Sequence, residues 1–169
     1  MRLKVIGVLC VAVLVLVPLT GCGAVAEKAA EKATGVDVNK DESKVTVTGK
    51  EGEKVEIQTG EDVTLPDGFP EDVPLYEDAK LTVSNSFTAE GKTTYSATYE
   101  TSDDVETVHA WYKDALPKDD WTIEGDVVNS ADGQSMAIIG AKKGDRSLNV
   151  TVVGGKDGER TTLSLTVGE

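Results

Sequence analysis

Apolar and polar residues alternate along most of the second half of this 169-residue chain. A period of two residues is typical of strands that bury one face. Turn sequences such as Lys143-Gly144-Asp145 separate the runs, as expected for antiparallel neighbours joined by short loops. The pattern predicts six strands, at residues 81–87, 93–100, 121–128, 135–141, 146–153 and 161–167.

One stretch between these strands has the 3.6-residue period of a helix. Asp103 and Asp104 followed by Glu106 match an acidic capping pattern, because carboxylates accept the free backbone N–H groups at a helix start. The apolar residues on one side of the helical wheel are Val105, Val108, Trp111, Tyr112, Ala115 and Leu116. Pro117 is expected to end the helix. A single apolar stripe predicts that the helix covers one face of the sheet and leaves the other open to water.

Two further segments precede these elements. Val45 and Val47, then Val55 and Ile57, alternate with polar residues and predict a β-hairpin. Because an isolated hairpin is marginal in water, it either joins the main sheet or remains a separate stalk. Residues 65–76 interleave prolines with apolar side chains, which favours an ordered, extended segment that packs onto the domain.

These elements predict an α+β fold, in which a single helix covers one face of an antiparallel meander sheet. A helical spacer, rich in Ala, Glu and Lys, and the β-hairpin precede the sheet. The predicted organisation is a signal peptide at residues 1–21, a lipidated anchor and helical spacer at 22–35, a hairpin stalk at 36–64 and a globular domain at 65–169.

The first residues have the pattern of an export signal. Arg2 and Lys4 precede an apolar run from Val5 to Leu19, which is too short for a spanning helix, since that needs about 20 apolar residues. The run ends in Leu19, Thr20, Gly21 and Cys22, and this sequence resembles the lipobox of bacterial lipoprotein signal peptides. An uncleaved N-terminal anchor is the alternative, and it also keeps the chain at a membrane.

The lipobox resemblance implies that cleavage occurs before Cys22 and that a diacylglyceryl group is attached to its thiol, with palmitate-type acyl chains holding the mature chain in the membrane. Two acyl chains anchor a protein stably, so no basic patch is required. The expected location is therefore the extracytoplasmic side of the cell membrane. Cleavage would lower the number of basic residues from 17 to 15, against 30 acidic ones. Such a surface repels nucleic acid.

The order of segments is similar to that of a family of small, functionally uncharacterised bacterial lipoproteins, mainly from Gram-positive organisms. The resemblance covers nearly the whole chain, and LPDGFPEDVPLYEDAK and WYKDALPKDDW are its most specific parts. It implies architecture and location, and it transfers no catalytic residue. A looser similarity in element order links the domain to helix-grip modules of envelope assembly lipoproteins.

The sequence nominates no catalytic chemistry. His109 is the only histidine, and Cys22 would be acylated, so nucleophilic or zinc chemistry lacks partners. Acidic pairs such as Asp103-Asp104 are assigned to helix caps and solvated turns. We therefore predict no catalytic residue, no metal site and no cofactor.

The preferred function is a non-enzymatic binding module at the cell surface, with an envelope protein or a small ligand as partner. Tyr95, Tyr99 and Trp121 are the aromatic candidates for a binding surface that the helix leaves uncovered. The alternative for aromatic residues is core packing, which is favoured for Trp111 and Tyr112. A passive spacer role, and an enzyme whose site the sequence does not reveal, are the other two functions considered.

Overall fold

The computed structural model describes residues 37–40, 43–49, 52–131, 133–154 and 160–169. The lipobox and the predicted helical spacer lie outside these residues. Within them, no helix has the length and apolar character needed to cross a membrane.

All the described strands belong to one antiparallel sheet. They are β1 (Asp37–Lys40), β2 (Lys44–Thr48), β3 (Lys54–Thr59), β4 (Lys80–Ala89), β5 (Lys92–Thr101), β6 (Thr122–Ala131), β7 (Gln134–Lys143), β8 (Arg146–Gly154) and β9 (Thr161–Gly168). Each run of alternating residues identified in the sequence forms a strand, because alternation matches the pleat of a half-buried sheet.

The predicted fold class is wrong. The described chain is one nine-stranded sheet with a short helix, in the order β1-β2-β3-β4-β5-β9-β8-β7-β6, and not an α+β meander preceded by a separate hairpin. The hairpin of β2 and β3 pairs with β4, from Lys54 opposite Thr88 to Thr59 opposite Val83. The strand order departs from a meander because the helix carries the chain from β5 to the far edge of the sheet.

The helix α1 (Val105–Lys118) begins as the capping pattern predicts. Asp104 is the N-cap, and its carboxylate accepts the backbone N–H of Thr107 at 2.7 Å. Pro117 lies inside the last turn and the helix ends one residue later than expected. The backbone N–H of Trp121 donates to the carbonyl of Leu116 at 2.9 Å, which turns the chain back into β6.

The helix lies on one face of the sheet, against β6, β7 and β8, as predicted. We call this the inner face. It carries the most completely buried side chains, which are Leu148, Val150, Val152, Leu163, Leu165 and Val167 from the sheet and Val108, Tyr112 and Leu116 from the helix. Their burial supplies the main stabilisation of the fold, at roughly 1.5–3 kcal/mol for each large apolar side chain.

A proline-containing segment covers the part of the inner face that the helix does not reach. We call residues 61–79 the wrap. Val73 and Tyr76 are buried in the core, and Phe69 packs edge-on against Tyr95 of β5 with ring centroids 6.0 Å apart. The hydroxyl of Ser84 on β4 donates to the carbonyl of Thr64 at 2.6 Å. The sequence correctly predicts an ordered, extended segment here.

Asp72 fastens the wrap to the turn between β7 and β8. Its two carboxylate oxygens accept N–H groups of Arg146 at 2.8 and 2.6 Å, and Lys143 lies 2.7 Å away. Its backbone carbonyl accepts the indole N–H of Trp121 at 2.7 Å, and Arg146 stacks over that ring. The Arg146 hydrogen bonds, with help from Lys143, hold the pKa of the Asp72 carboxyl well below its usual range.

The opposite, outer face of the central strands carries hydroxyl side chains. Ser96 hydrogen bonds to Thr166 at 3.2 Å, and Thr98 to Ser164 at 3.3 Å, so neighbouring strands are joined on this face by polar pairs. Thr166 is exposed. Open sheet faces are expected to be polar in this way.

Replacement of Asp72 by Asn should destabilise the protein by about 1–2 kcal/mol at neutral pH, since it removes a paired carboxylate from a half-buried site. The folded-state pKa is lowered, so this contribution is present above the ordinary Asp pKa of about 3.9 and is lost as the pH falls below it. Urea unfolding at pH 7 and at about pH 3 measures both effects. The neighbouring exposed carboxylate gives a matched control, Glu71→Gln, which should change neither curve.

Candidate ligand-binding cleft

The aromatic residues predicted for a binding surface lie on the inner side of the sheet. Trp121 is 1% exposed and Tyr99 is 5% exposed, while Tyr95 is half-buried beneath Phe69. The wrap contacts Tyr95 through Phe69 and Trp121 through the carbonyl of Asp72, a placement that a strand pattern does not contain. Tyr99 and Trp121 are therefore covered, whereas Tyr95 lines a small surface pocket of about 220 Å³. Contact of any of the three with a ligand stays a prediction.

Two tyrosine hydroxyls are buried between the sheet and the helix without a partner. The Tyr99 and Tyr112 oxygens have no hydrogen bond within the described chain. Burial raises the pKa of Tyr99 to about 12, and burial with the nearby Tyr99 also raises the pKa of Tyr112. Each unpaired hydroxyl costs roughly 1–3 kcal/mol, which is the usual desolvation penalty. Both hydroxyls are thus available to a polar group that enters the interior.

A cleft of about 840 Å³ lies at the N-terminal end of α1, where the ends of β4, β5, β7, β8 and β9 meet the helix. Its described lining consists of Asp78, Lys80, Glu100, Thr101, Ser102, Asp103, Asp104, Val105, Glu106, Ser135, Gly154, Arg160 and Thr161. The cleft combines residues from the wrap, five strands and the helix, which are brought together only by folding.

The floor of the cleft contains buried hydroxyls. Thr101 donates to the carbonyl of Asp78 at 2.8 Å and accepts the backbone N–H of Asp103 at 3.2 Å. Thr161 is also buried. A Cβ atom added to Gly154 would lie 2.7 Å from a methyl carbon of Val105, so glycine is required for the helix to approach β8 this closely.

The walls of the cleft are negatively charged. Among its described residues, five carry carboxylates and two, Lys80 and Arg160, carry positive charge. Glu100 lies 3.8 Å from Arg160, whose side chain is largely exposed, whereas that of Glu100 is half-buried. Asp103 accepts the hydroxyl of Tyr76 at 2.5 Å, and burial together with this carboxylate raises the pKa of Tyr76 to about 12. The excess of carboxylates favours a ligand that carries positive charge.

The described carboxylates of the cleft are not grouped as the ligands of a metal ion would be. Across the described ranges, no group of three or more His, Cys, Asp or Glu residues is placed to hold a metal ion. Asp103 and Asp104 act as capping and hydrogen-bonding residues, the role that the sequence assigns to them. The sequence does not show that they also form a wall of a cleft. The feature of the sequence that could have indicated this cleft is the concentration of acidic residues at the start of the helix.

His109, the single histidine, forms a structural link. Its Nε2 atom lies 2.6 Å from a carboxylate oxygen of Asp126 on β6, and Lys113 lies 2.8 Å from the other oxygen. Lys113 and His109 lower the pKa of the Asp126 carboxyl. The helix is therefore joined to β6 by an ion pair from Lys113 and a hydrogen bond with His109.

A second groove of about 580 Å³ runs between the wrap and the outward side of the helix. It is lined by Pro74, Leu75, Ala110, Trp111, Asp114, Ala115, Lys118 and Asp119. Trp111 is half-buried there and packs edge-on against Tyr76 and Tyr112. The Trp111 ring therefore packs mainly against other aromatic rings, which is the role that the sequence favours for this residue.

A START domain-like family model matches residues 81–161. The matched region runs from β4 through the helix to the first residue of β9, so it contains much of the described lining of the cleft and both unpaired tyrosines. No curated protein and no solved structure is significantly similar to the chain. Over the matched region, the chain is similar to START-like domains.

Proposed function

We propose that this chain is a lipid-anchored extracytoplasmic binding protein, and that it binds a small, positively charged ligand in the cleft at the start of α1. The observation that carries the proposal is the lining of that cleft, in which buried threonines lie beneath a wall of carboxylates. A ligand with amine groups and additional hydrogen-bonding groups would complement both. Similarity to START-like domains supports binding, because such domains are generally ligand-binding.

The proposal is for binding and not catalysis because three polar residues at the start of the helix have structural partners. Asp104 caps the helix, Asp103 accepts the Tyr76 hydroxyl, and Thr101 is held by the backbone. A catalytic base or nucleophile needs a side chain that is free to exchange a proton with the substrate. Groups that are held in place are better suited to fixed recognition.

The anchor part of the proposal depends on the sequence. Cys22 at the end of the lipobox would carry the diacylglyceryl group, and the following Ala-, Glu- and Lys-rich residues would separate the folded domain from the bilayer. Ligand binding would then take place next to the outer surface of the cell membrane.

A second candidate ligand is a lipophilic molecule held between the sheet and the helix. START-like domains bind small lipophilic ligands, and the unpaired hydroxyls of Tyr99 and Tyr112 would hydrogen bond to the polar end of such a molecule. The core side chains occupy this space in the described conformation, so binding would require the wrap to move. This cost is the reason for preferring the open cleft.

The cleft proposal is tested by removing the charges of two of its carboxylates, the half-buried Glu100 and the exposed Glu106. The double variant Glu100→Gln/Glu106→Gln, purified from membranes in nonionic detergent, should bind spermidine about three- to tenfold more weakly than wild type by calorimetry, as expected for the loss of two solvent-accessible charge interactions. The variant Glu71→Gln/Glu77→Gln has the same net charge and should bind like wild type. If both variants bound spermidine equally weakly, its affinity would depend only on total charge. That result would contradict binding in the cleft.

The interior site is tested with Tyr99→Phe and Tyr112→Phe. Each change removes an unpaired buried hydroxyl, so each variant should be more stable than wild type by about 0.5–2 kcal/mol in urea unfolding. If a lipophilic ligand uses these groups, both variants should also lose affinity for a fluorescent fatty acid. Tyr95→Phe, at the half-buried neighbouring position, is the control. Unchanged fatty-acid binding in all three variants would exclude the interior site.

The anchor is tested with Cys22→Ala. The wild-type chain should sediment with membranes and incorporate an alkyne-labelled palmitate, whereas the variant should incorporate no label and keep its uncleaved N-terminus. Intact mass after membrane extraction distinguishes the two forms. A wild-type chain without acyl mass would overturn the anchor and leave the binding proposal standing.

A further inference from the structure

Strand β6 is an edge of the sheet. It pairs with β7 along nine register positions, and in the part of the chain that the structure describes no strand pairs with its other side. The bulge in the pairing lies near its start, between Ile123 and Gly125, so the run from Asp126 to Ala131 is regular. This run presents an unbroken row of backbone donors and acceptors, which can be extended by another strand.

The side chains of this edge favour pairing. Val127 is 57% exposed and Val128 is 51% exposed, more than any other large apolar residue in the described ranges. Protein edges that avoid association commonly carry lysine or proline. Strand β6 contains neither.

The two acidic residues of β6 do not protect the edge, because each is paired within its own chain. Asp126 contacts His109 and Lys113 of the helix, and Glu124 lies 3.2 Å from Lys142 on β7. Their charges are thereby partly neutralised. On the outer face, Val127 lies opposite Ile138 in the sheet register, and Met136 lies opposite Val153, so the edge continues into further apolar residues.

We propose that β6 pairs antiparallel with β6 of a second copy of this chain, about a twofold axis that passes between the two Val127 residues. In this register Asp126 lies opposite Val128 of the other copy, and Glu124 lies opposite Ser130. No carboxylate of β6 then faces another carboxylate, and the contact is self-complementary, as a twofold interface requires. The two sheets become one continuous sheet.

The net charge of the chain gives this pairing a distinctive salt dependence. Each mature copy would carry 15 basic and 30 acidic residues, a net charge of about −15, so the two copies repel one another while their edges attract. Added salt screens this repulsion. Dimerisation should therefore strengthen with salt, in contrast to an interface held by opposite charges.

Cysteine crosslinking tests the register. Directly opposed strand residues have Cβ atoms close enough for a disulfide, whereas residues displaced along the strand do not. The full chain with Val127→Cys should form a reducible dimer in oxidised membranes, at least about fivefold more than Val128→Cys or Val153→Cys, whose side chains do not oppose themselves in this register. Wild type gives the background, which should be low because Cys10 would be removed with the signal peptide and the thiol of Cys22 would be acylated. Equal crosslinking at all three positions, or crosslinking of Val127→Cys to other proteins only, would overturn the proposal.

Sedimentation equilibrium of the purified full chain in density-matched detergent tests association without any crosslink. Wild type should form dimers that are more stable at about 0.5 M than at about 0.05 M salt. Val127→Lys should be monomeric, because lysine protects an edge, while Val153→Lys, on the interior strand β8, should dimerise like wild type. A monomeric wild type at every concentration, or a Val127→Lys variant that dimerises normally, would show that β6 does not pair.

Discussion

The contacts of Asp72 determine how the inner face of the sheet is covered. One helix reaches β6, β7 and β8, but the sheet has nine strands, and the apolar residues of β4 and β5 need a second cover. The wrap provides it, and Asp72 fixes the wrap in place through Arg146, Lys143 and the indole of Trp121. The same segment is held further by the buried side chains of Val73 and Tyr76 and by the bond from Ser84 to Thr64.

The same arrangement separates the well-packed core from the cleft in which we propose that a ligand binds. Beneath the helix and the wrap, large side chains fill the core, and among the buried side chains of the described residues the hydroxyls of Tyr99 and Tyr112 lack a hydrogen bond. At the start of the helix, the strand ends line a polar cleft. The cleft is therefore open to water next to a well-packed core, which suits recognition of a charged ligand by groups that do not move.

The position of the helix also explains why one edge of the sheet differs from its interior. The helix contacts β6 through Asp126, His109 and Lys113, and these contacts pair the charged group that would otherwise protect the edge. From Glu124 onward, the side chains of β6 are exposed. The contacts of Asp126 that hold the helix against β6 therefore also leave the edge of β6 accessible to another strand.

Local patterns in the sequence determined the individual elements. Alternation located every predicted strand, because the pleat places successive side chains on opposite faces, and the acidic residues at 103–104 located the helix start, because carboxylates bond to free N–H groups there. The prolines correctly indicated an ordered extended segment. The lipobox resemblance remains the basis for Cys22, outside the described residues.

Only the tertiary structure decided which strands are neighbours, what covers each face and where the cleft lies. These features depend on contacts between residues far apart in the chain, such as Asp72 with Arg146 and Thr101 with Asp78. Edge strands and interior strands both show a period of two residues. The same period occurs whether a helix or the wrap covers the buried face, so the pattern does not distinguish these cases. For this reason Tyr99 and Trp121 could be recognised as strand-associated aromatics from sequence, but their burial could not.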